Sequence, residues 1–140
     1  MTASSHSALE LDGLEALLRP RGIAVMGASS DLSKIGGRPL RFLKESGFEG
    51  GVYPINPKYD EVQGLRSYSS LEEVDGVVDL ALIAVPQEGV MAAIESCAAK
   101  GVKVATIFSA NFAEADEAGA ALQHQITDYA AAHGLSLIHI

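Results

Sequence analysis

Apolar positions in this chain fall into two patterns. Short unbroken runs, such as Ile23-Ala24-Val25-Met26 and Leu80-Ala81-Leu82-Ile83-Ala84-Val85, alternate with longer stretches in which apolar and polar residues recur at helical spacing. A run that is apolar at every position suits a strand buried on both faces, as at the centre of a parallel sheet. The pattern therefore predicts strands over residues 23–26, 52–55, 80–85, 102–108 and 135–140. Helices are predicted between them. A short amphipathic one carries Leu9, Leu11, Leu14, Leu17 and Leu18 and is stopped by Pro20. Another starts near Pro39, a residue favoured in a first helical turn, and stops at Gly47. Residues 87–100 form a third, closed by Gly101, and an alanine-rich helix over about 114–133 is closed by Gly134.

Between the second and third strands lie a loop with Gly64, an extended piece over 65–68, and Ser70-Leu71-Glu72-Glu73. The last reads as a capping box on a short helix. The order strand, helix, strand, short helix, strand, helix, strand, helix, strand predicts an α/β fold: a Rossmann-like three-layer domain with a mainly parallel sheet and helices on both faces. Ligands of such sheets bind beyond the carboxyl ends of the strands. The loops after Met26, Ile55, Val85 and Phe108 are therefore the candidate site.

The first loop carries the most chemistry. Met26 runs into Gly27-Ala28-Ser29-Ser30, and Lys34, Gly36, Gly37 and Arg38 follow. A strand that ends on glycine and turns toward a helix brings backbone N–H groups and hydroxyls close to a phosphate. A dinucleotide fingerprint needs two further glycines, and Ser29 and Leu32 stand in their places. An NAD site also expects an acidic residue near the end of the second strand. Here that strand ends in Asn56-Pro57-Lys58, and a lysine suits a phosphate better than a ribose diol. A P-loop motif is absent as well. These features favour a phosphorylated nucleotide whose extra phosphate meets a cation from among Lys34, Arg38 and Lys58.

Composition narrows the classes. The chain has 140 residues, 48% of them hydrophobic. That suffices for one domain with a core. A net charge of −8 argues against a broad nucleic-acid surface, though not against one local basic pocket. The single cysteine, Cys97, excludes a disulfide framework or a cysteine metal cluster and fits a reducing cytoplasm. It reads as a buried packing residue. Residues 1–8 are small and polar and read as a disordered leader without a secretory signal. No run reaches the length of a membrane span. The four histidines have no carboxylate or histidine partner at a telling spacing, so no metal or catalytic role is expected. Glu114, Asp116 and Glu117, within residues 114–117, read as a first helical turn favouring the helix dipole.

Several blocks in order carry a resemblance: residues 17–30 (Leu-Leu-Arg-Pro-Arg-Gly-Ile-Ala-Val-Met-Gly-Ala-Ser-Ser), residues 34–39 (Lys-Ile-Gly-Gly-Arg-Pro), residues 52–59 (Val-Tyr-Pro-Ile-Asn-Pro-Lys-Tyr) and residues 78–86 (Val-Asp-Leu-Ala-Leu-Ile-Ala-Val-Pro). Over roughly residues 14–134 the chain resembles the CoA-binding domain that opens the ADP-forming acyl-CoA synthetases, including the α-subunit of succinyl-CoA synthetase. The resemblance implies that Gly27, Ala28, Ser29 and Ser30 hold CoA phosphates, with Lys34 and Arg38 nearby. It implies that Asn56, Pro57 and Lys58 bind the nucleotide end, with Lys58 by a phosphate of the 3′-phospho-ADP moiety. Val85 and Pro86 would line the adenine or pantetheine path, and Ser109, Ala110 and Asn111 would approach the pantetheine arm.

Ordinary structural roles stand beside these. Ser29 and Ser30 also suit a helix N-cap, and Lys34, Arg38 and Lys58 also suit solvated loop charges. Two departures from the family matter. Asn111 replaces the glycine of a Ser-Ala-Gly-Phe motif, where asparagine is the best-tolerated substitute at positive φ but would crowd the arm. The last residues, Leu135-Ser136-Leu137-Ile138-His139-Ile140, replace a strand and a Gly-Pro-Asn-Cys turn. They resemble translated sequencing-adapter sequence, so a truncated reading frame with a foreign tail is expected.

The expected function is CoA or acyl-CoA binding by a fragment that is not catalytic alone, its parent an acid–thiol ligase whose phosphorylated histidine and ATP-grasp nucleotide site lie in other domains. A stand-alone CoA-binding regulatory protein, the front end of a protein lysine acetyltransferase, and an NAD(P)-binding oxidoreductase or redox sensor are the alternatives. No nucleic-acid or membrane partner is expected.

Overall fold

The computed structural model describes residues 18–108 and 117–139. The expected leader, the helix over residues 9–18 apart from its last residue, the loop at 109–112 and the start of the alanine-rich helix lie outside them. In chain order the elements are β1 (Gly22–Met26), α1 (Arg38–Glu45), β2 (Gly51–Ile55), β3 (Glu61–Val62), β4 (Leu65–Arg66), a one-turn 3-10 helix (Leu71–Glu73), β5 (Leu80–Ile83), α2 (Gln87–Lys100), β6 (Val104–Ile107), α3 (Glu117–Ala132) and β7 (Ser136–His139).

Five strands form one parallel sheet in the order β2-β1-β5-β6-β7. The strand after β1 lies on one side of it, and the next main strand, β5, lies on the other. The order of strands thus reverses between β1 and β5, the topological switch point at which doubly wound sheets open a crevice. β1 is buried at all five positions because it has neighbours on both edges and layers on both faces. On one face Ala24, Met26, Ala81, Ile83, Ala105 and Ile107 pack against Val90, Ile94 and Cys97 of α2 and Ile126 and Ala130 of α3. On the other, Val25 packs with Ala28, with Leu40 of α1 and with Val62 of the β3–β4 hairpin. The fold is the expected Rossmann-like α/β architecture with helices on both faces.

Element ends follow local chemistry. α1 starts at Arg38 with Pro39 in its first turn, and the chain leaves it through Gly47 at φ +75°. α2 ends at Gly101, φ +85°, whose N–H donates to Ala98 while the Val102 N–H donates to Cys97. This glycine-based closure satisfies the last helical carbonyls.

Three expectations need correction. The run over 80–85 pairs only as far as Ile83, because Val85 and Pro86 turn out of the sheet and lead into α2. The strand over 102–108 pairs from Val104 to Ile107, since the Val102 N–H is used to close α2. The capping box is shifted. Ser70 makes no side-chain cap, and the Glu73 carboxylate instead accepts from the N–H and hydroxyl of Ser69. The piece over 65–68 begins as the second strand of the β3–β4 hairpin, and Tyr68 then bridges to Ile55 along the outer edge of β2.

At the amino edge of the sheet Arg21 and Asp79 join β1 to β5. Asp79 is buried and accepts from the Arg21 backbone N–H at 2.9 Å, from Nε at 2.8 Å and from Nη2 at 2.9 Å. These bonds from Arg21 hold its carboxyl below the usual carboxylate range, against the opposing effect of burial.

Candidate functional site at the carboxyl ends of the strands

The site is built from the exits of β1, β2 and β5. β1 ends at Gly27, φ +81°. A Cβ there would lie 2.6 Å from the Ala84 carbonyl oxygen, so glycine alone lets the exits of β1 and β5 approach so closely. The N–H groups of Gly27 and Ala28 both donate to Ile55 O, at 3.0 and 3.3 Å, which ties the exit of β1 to that of β2.

The loop that follows folds back on itself. The Ser29 N–H donates to Gly36 O at 3.2 Å. Added Cβ atoms at Gly36 and Gly37 would meet the carbonyl oxygens of Gly27 and Asp31 at 2.0 and 2.2 Å. The two glycines are thus required by backbone contact inside the loop. Asp31 accepts from the N–H and hydroxyl of Ser33, and the hydroxyl bond is the main reason its carboxyl is held below the usual range. Arg38 Nε donates to Leu32 O at 3.0 Å.

At the exit of β2, Asn56 is a structural tie. Its Nδ2 donates to Ala28 O at 2.9 Å and its Oδ1 accepts the Lys58 N–H at 3.0 Å. This Asx turn aims Pro57 and Lys58, both exposed, outward from the strand end. Among the described residues the Lys58 ammonium makes no ion pair.

Two hollows open here. One, of about 370 Å³, is lined by Gly27, Asn56, Pro57, Lys58, Val85 and Pro86 among others, with Leu71, Gly89, Ala92 and Ser96 also in its wall. The other, of about 430 Å³, is lined by Gly27, Lys34, Gly36, Val85, Pro86 and Phe108. Gly27, Val85 and Pro86 belong to both, so they form a ridge between two halves of one groove across the switch point. The first half is a largely apolar slot with a lysine at its mouth. The second has a lysine beside exposed backbone. Such a groove suits a flat base and a thin chain joined by charged groups.

Of the residues singled out from sequence, Gly27, Lys34, Asn56, Pro57, Lys58, Val85 and Pro86 line these two hollows. Arg38 shares a smaller recess with Lys34 and Phe108. Ala28 is brought elsewhere: its side chain is fully buried and packs in the core against Val25 and Leu40. Ser29 Oγ accepts the Asp31 N–H at 3.0 Å, and Ser30 Oγ accepts the Gln63 N–H at 3.1 Å. Each hydroxyl keeps its hydrogen to donate. Ser30 lines a separate hollow with Arg41, Lys44 and Gln63. Ser109, Ala110 and Asn111 lie outside the described residues.

Sequence reasoning missed the α2 wall of the slot. Its signal was present: Gly89, Ala92, Ala93 and Ser96 recur at i, i+3, i+4 and i+7 and form a stripe of small residues. Among the described residues no group of histidines, cysteines and carboxylates could hold a metal ion, and no helix is long and apolar enough to cross a membrane.

Comparison with known proteins agrees with this fold. A family model described as CoA binding domain matches residues 21–139. The α-subunit of ADP-forming acetate–CoA ligase II of Pyrococcus furiosus is 41% identical over 126 residues, covering 89% of this chain and 27% of that protein. ADP-forming acetate–CoA ligase II of Archaeoglobus fulgidus is 38% identical over 124 residues, covering 89% of this chain and 18% of that protein. Among solved structures, the dinucleotide forming acetyl-coenzyme A synthetase 1 of Ca. Korarchaeum cryptofilum, in complex with phosphate and ADP, superposes with a TM-score of 0.83 at 40% identity, covering 90% of this chain and 27% of that one. The chain thus spans about a quarter or less of the length of these relatives. Its groove lies at the switch point of a five-stranded parallel sheet, and its sequence matches the family model from β1 to β7: the chain belongs to the CoA-binding domain family.

Proposed function

We propose that this chain binds coenzyme A in the groove at the β1/β5 switch point, as the CoA-binding part of an ADP-forming acyl-CoA synthetase. The observation that carries the reading is the pairing of an apolar slot with a lysine at its mouth, Lys58, beside a glycine-lined strand exit. In this reading Lys58 meets the 3′-phosphate of the nucleotide end and the slot between Pro57, Val85 and Gly89 takes the base. Lys34, the remaining donors of Arg38 and the hydroxyl hydrogens of Ser29 and Ser30 serve the diphosphate. Ser109, Ala110 and Asn111 border the pantetheine arm. Binding and orienting CoA is the whole of this segment's task. The phosphorylated histidine and the ATP-grasp site that complete an acid–thiol ligase belong to partner domains.

Isothermal titration with CoA, dephospho-CoA, NAD and NADPH tests the proposal. CoA is expected to bind, and dephospho-CoA to bind about fivefold more weakly, because an exposed lysine–phosphate pair contributes about 1 kcal/mol. Lys58→Ala should abolish that difference. NADPH binding without CoA binding would overturn the reading in favour of a redox domain.

A further inference from the structure

Among the described residues Gln63 is the one non-glycine with positive φ, +50°. With Gly64, at φ +81°, it forms the two-residue turn between β3 and β4, across which Val62 pairs with Leu65. A two-residue hairpin with both central residues at positive φ favours asparagine or glycine at the first position. Glutamine there carries local strain.

Its hydrogen bonds show what the strain accompanies. Gln63 Nε2 donates to Ser29 O at 2.9 Å and to Gly37 O at 2.8 Å. Its backbone N–H donates to Ser30 Oγ at 3.1 Å, and its carbonyl accepts from Lys44 Nζ of α1. A carboxamide has two N–H donors, and both are used, one on each end of the first loop. Two carbonyl acceptors also settle which terminal atom is nitrogen. Asparagine would suit the turn but is one methylene shorter. Glycine would suit it better still and could donate nothing from a side chain.

The loop between Ser29 and Gly37 carries Lys34 to the groove, whereas Gln63 lies in the separate hollow with Ser30 and Arg41. A loop held at both ends is already ordered when the ligand arrives, so binding need not order it. We infer that Gln63 is a positioning residue for coenzyme A: from a hairpin outside the main sheet it clamps both ends of the first loop and raises CoA affinity without touching the ligand. This rests on the CoA reading above.

The test compares wild type with Gln63→Gly and Gln63→Glu by CoA titration, urea unfolding and amide hydrogen exchange across residues 29–37. Gln63→Gly removes the clamp but relieves the backbone. Its urea midpoint should stay near that of wild type, while CoA affinity falls about tenfold and exchange in the loop accelerates. Gln63→Glu sets a carboxylate against two carbonyls and should weaken CoA binding further. The inference is overturned if Gln63→Gly binds CoA within about twofold of wild type, whether or not its stability changes. Should wild type itself fail to bind CoA, the ligand assignment falls and loop exchange alone decides: acceleration in Gln63→Gly supports the clamp, and unchanged exchange overturns it.

Discussion

Replacing Asp79 by asparagine isolates the tie at the amino edge of the sheet. The carboxylate accepts three N–H groups of Arg21, two on Oδ2 and one on Oδ1. Around it the Asp79 backbone N–H donates to Gly22 O, and its carbonyl accepts from Lys103 and Val104. Asparagine keeps the shape and one acceptor, loses the charge and points an amide at a guanidinium. Each charge-assisted hydrogen bond contributes about 1.5–3 kcal/mol when its partners are sheltered. The Asp79 side chain is 7% exposed but that of Arg21 is 68% exposed. Solvent therefore weakens the ion-pair part. A net loss of about 2 kcal/mol at neutral pH is expected for Asp79→Asn, the value of one such bond after that discount. The sign with pH follows from linkage. The Asp79 carboxyl, whose pKa is depressed in the folded state, contributes its full stability above the unfolded value, about 3.9, and loses it as pH falls through the folded value. Urea unfolding of both proteins at a series of pH values should therefore show a constant gap from neutral pH down to about pH 5 that closes in stronger acid. An equal midpoint at pH 7, or a gap that persists undiminished in acid, would refute the argument. CoA affinity should not change, because Asp79 precedes β5 and the groove lies beyond its other end.

The remaining predictions concern the groove and the core. Gly27→Ala forces positive φ on an alanine and brings its Cβ against Ala84 O. A loss of about 2–3 kcal/mol by chemical denaturation and weaker CoA binding are expected; a variant equal to wild type in both would show that the close approach is not required. The Cys97 thiol is pushed up to about 12, mainly by burial and further by the charge of Glu72, and it lies 3.8 Å from Met26 Sδ. As the chain's one cysteine it should resist a disulfide reagent at about pH 8 and react only as fast as the domain opens; rapid labelling of the native protein would contradict that burial.

Much of this molecule is legible along the chain. Unbroken apolar runs mark the buried strands, glycines mark the helix ends at Gly47 and Gly101, and the alternation of elements implies a parallel sheet whose strand exits are the candidate site. These signals are local, arising from side-chain period and from the backbone limits of glycine and proline, so they survive without knowledge of neighbours. Strand order is different. Nothing within β1 or β5 alone says that they adjoin, yet that adjacency makes Gly27, Val85 and Pro86 a single ridge. Side-chain roles are decided in the same way. The Asn56 amide is found on Ala28 O, 28 residues away, and the Ser30 hydroxyl accepts from the Gln63 N–H, 33 residues away, so each also ties distant segments of the fold together. Gln63 itself carries no motif at all. A hydrogen bond between distant residues leaves no periodic trace, because its partners meet only after long-range packing has brought the hairpin onto the loop. Local pattern thus determined the elements and where the groove would lie; tertiary contact decided which polar atoms were left to face it.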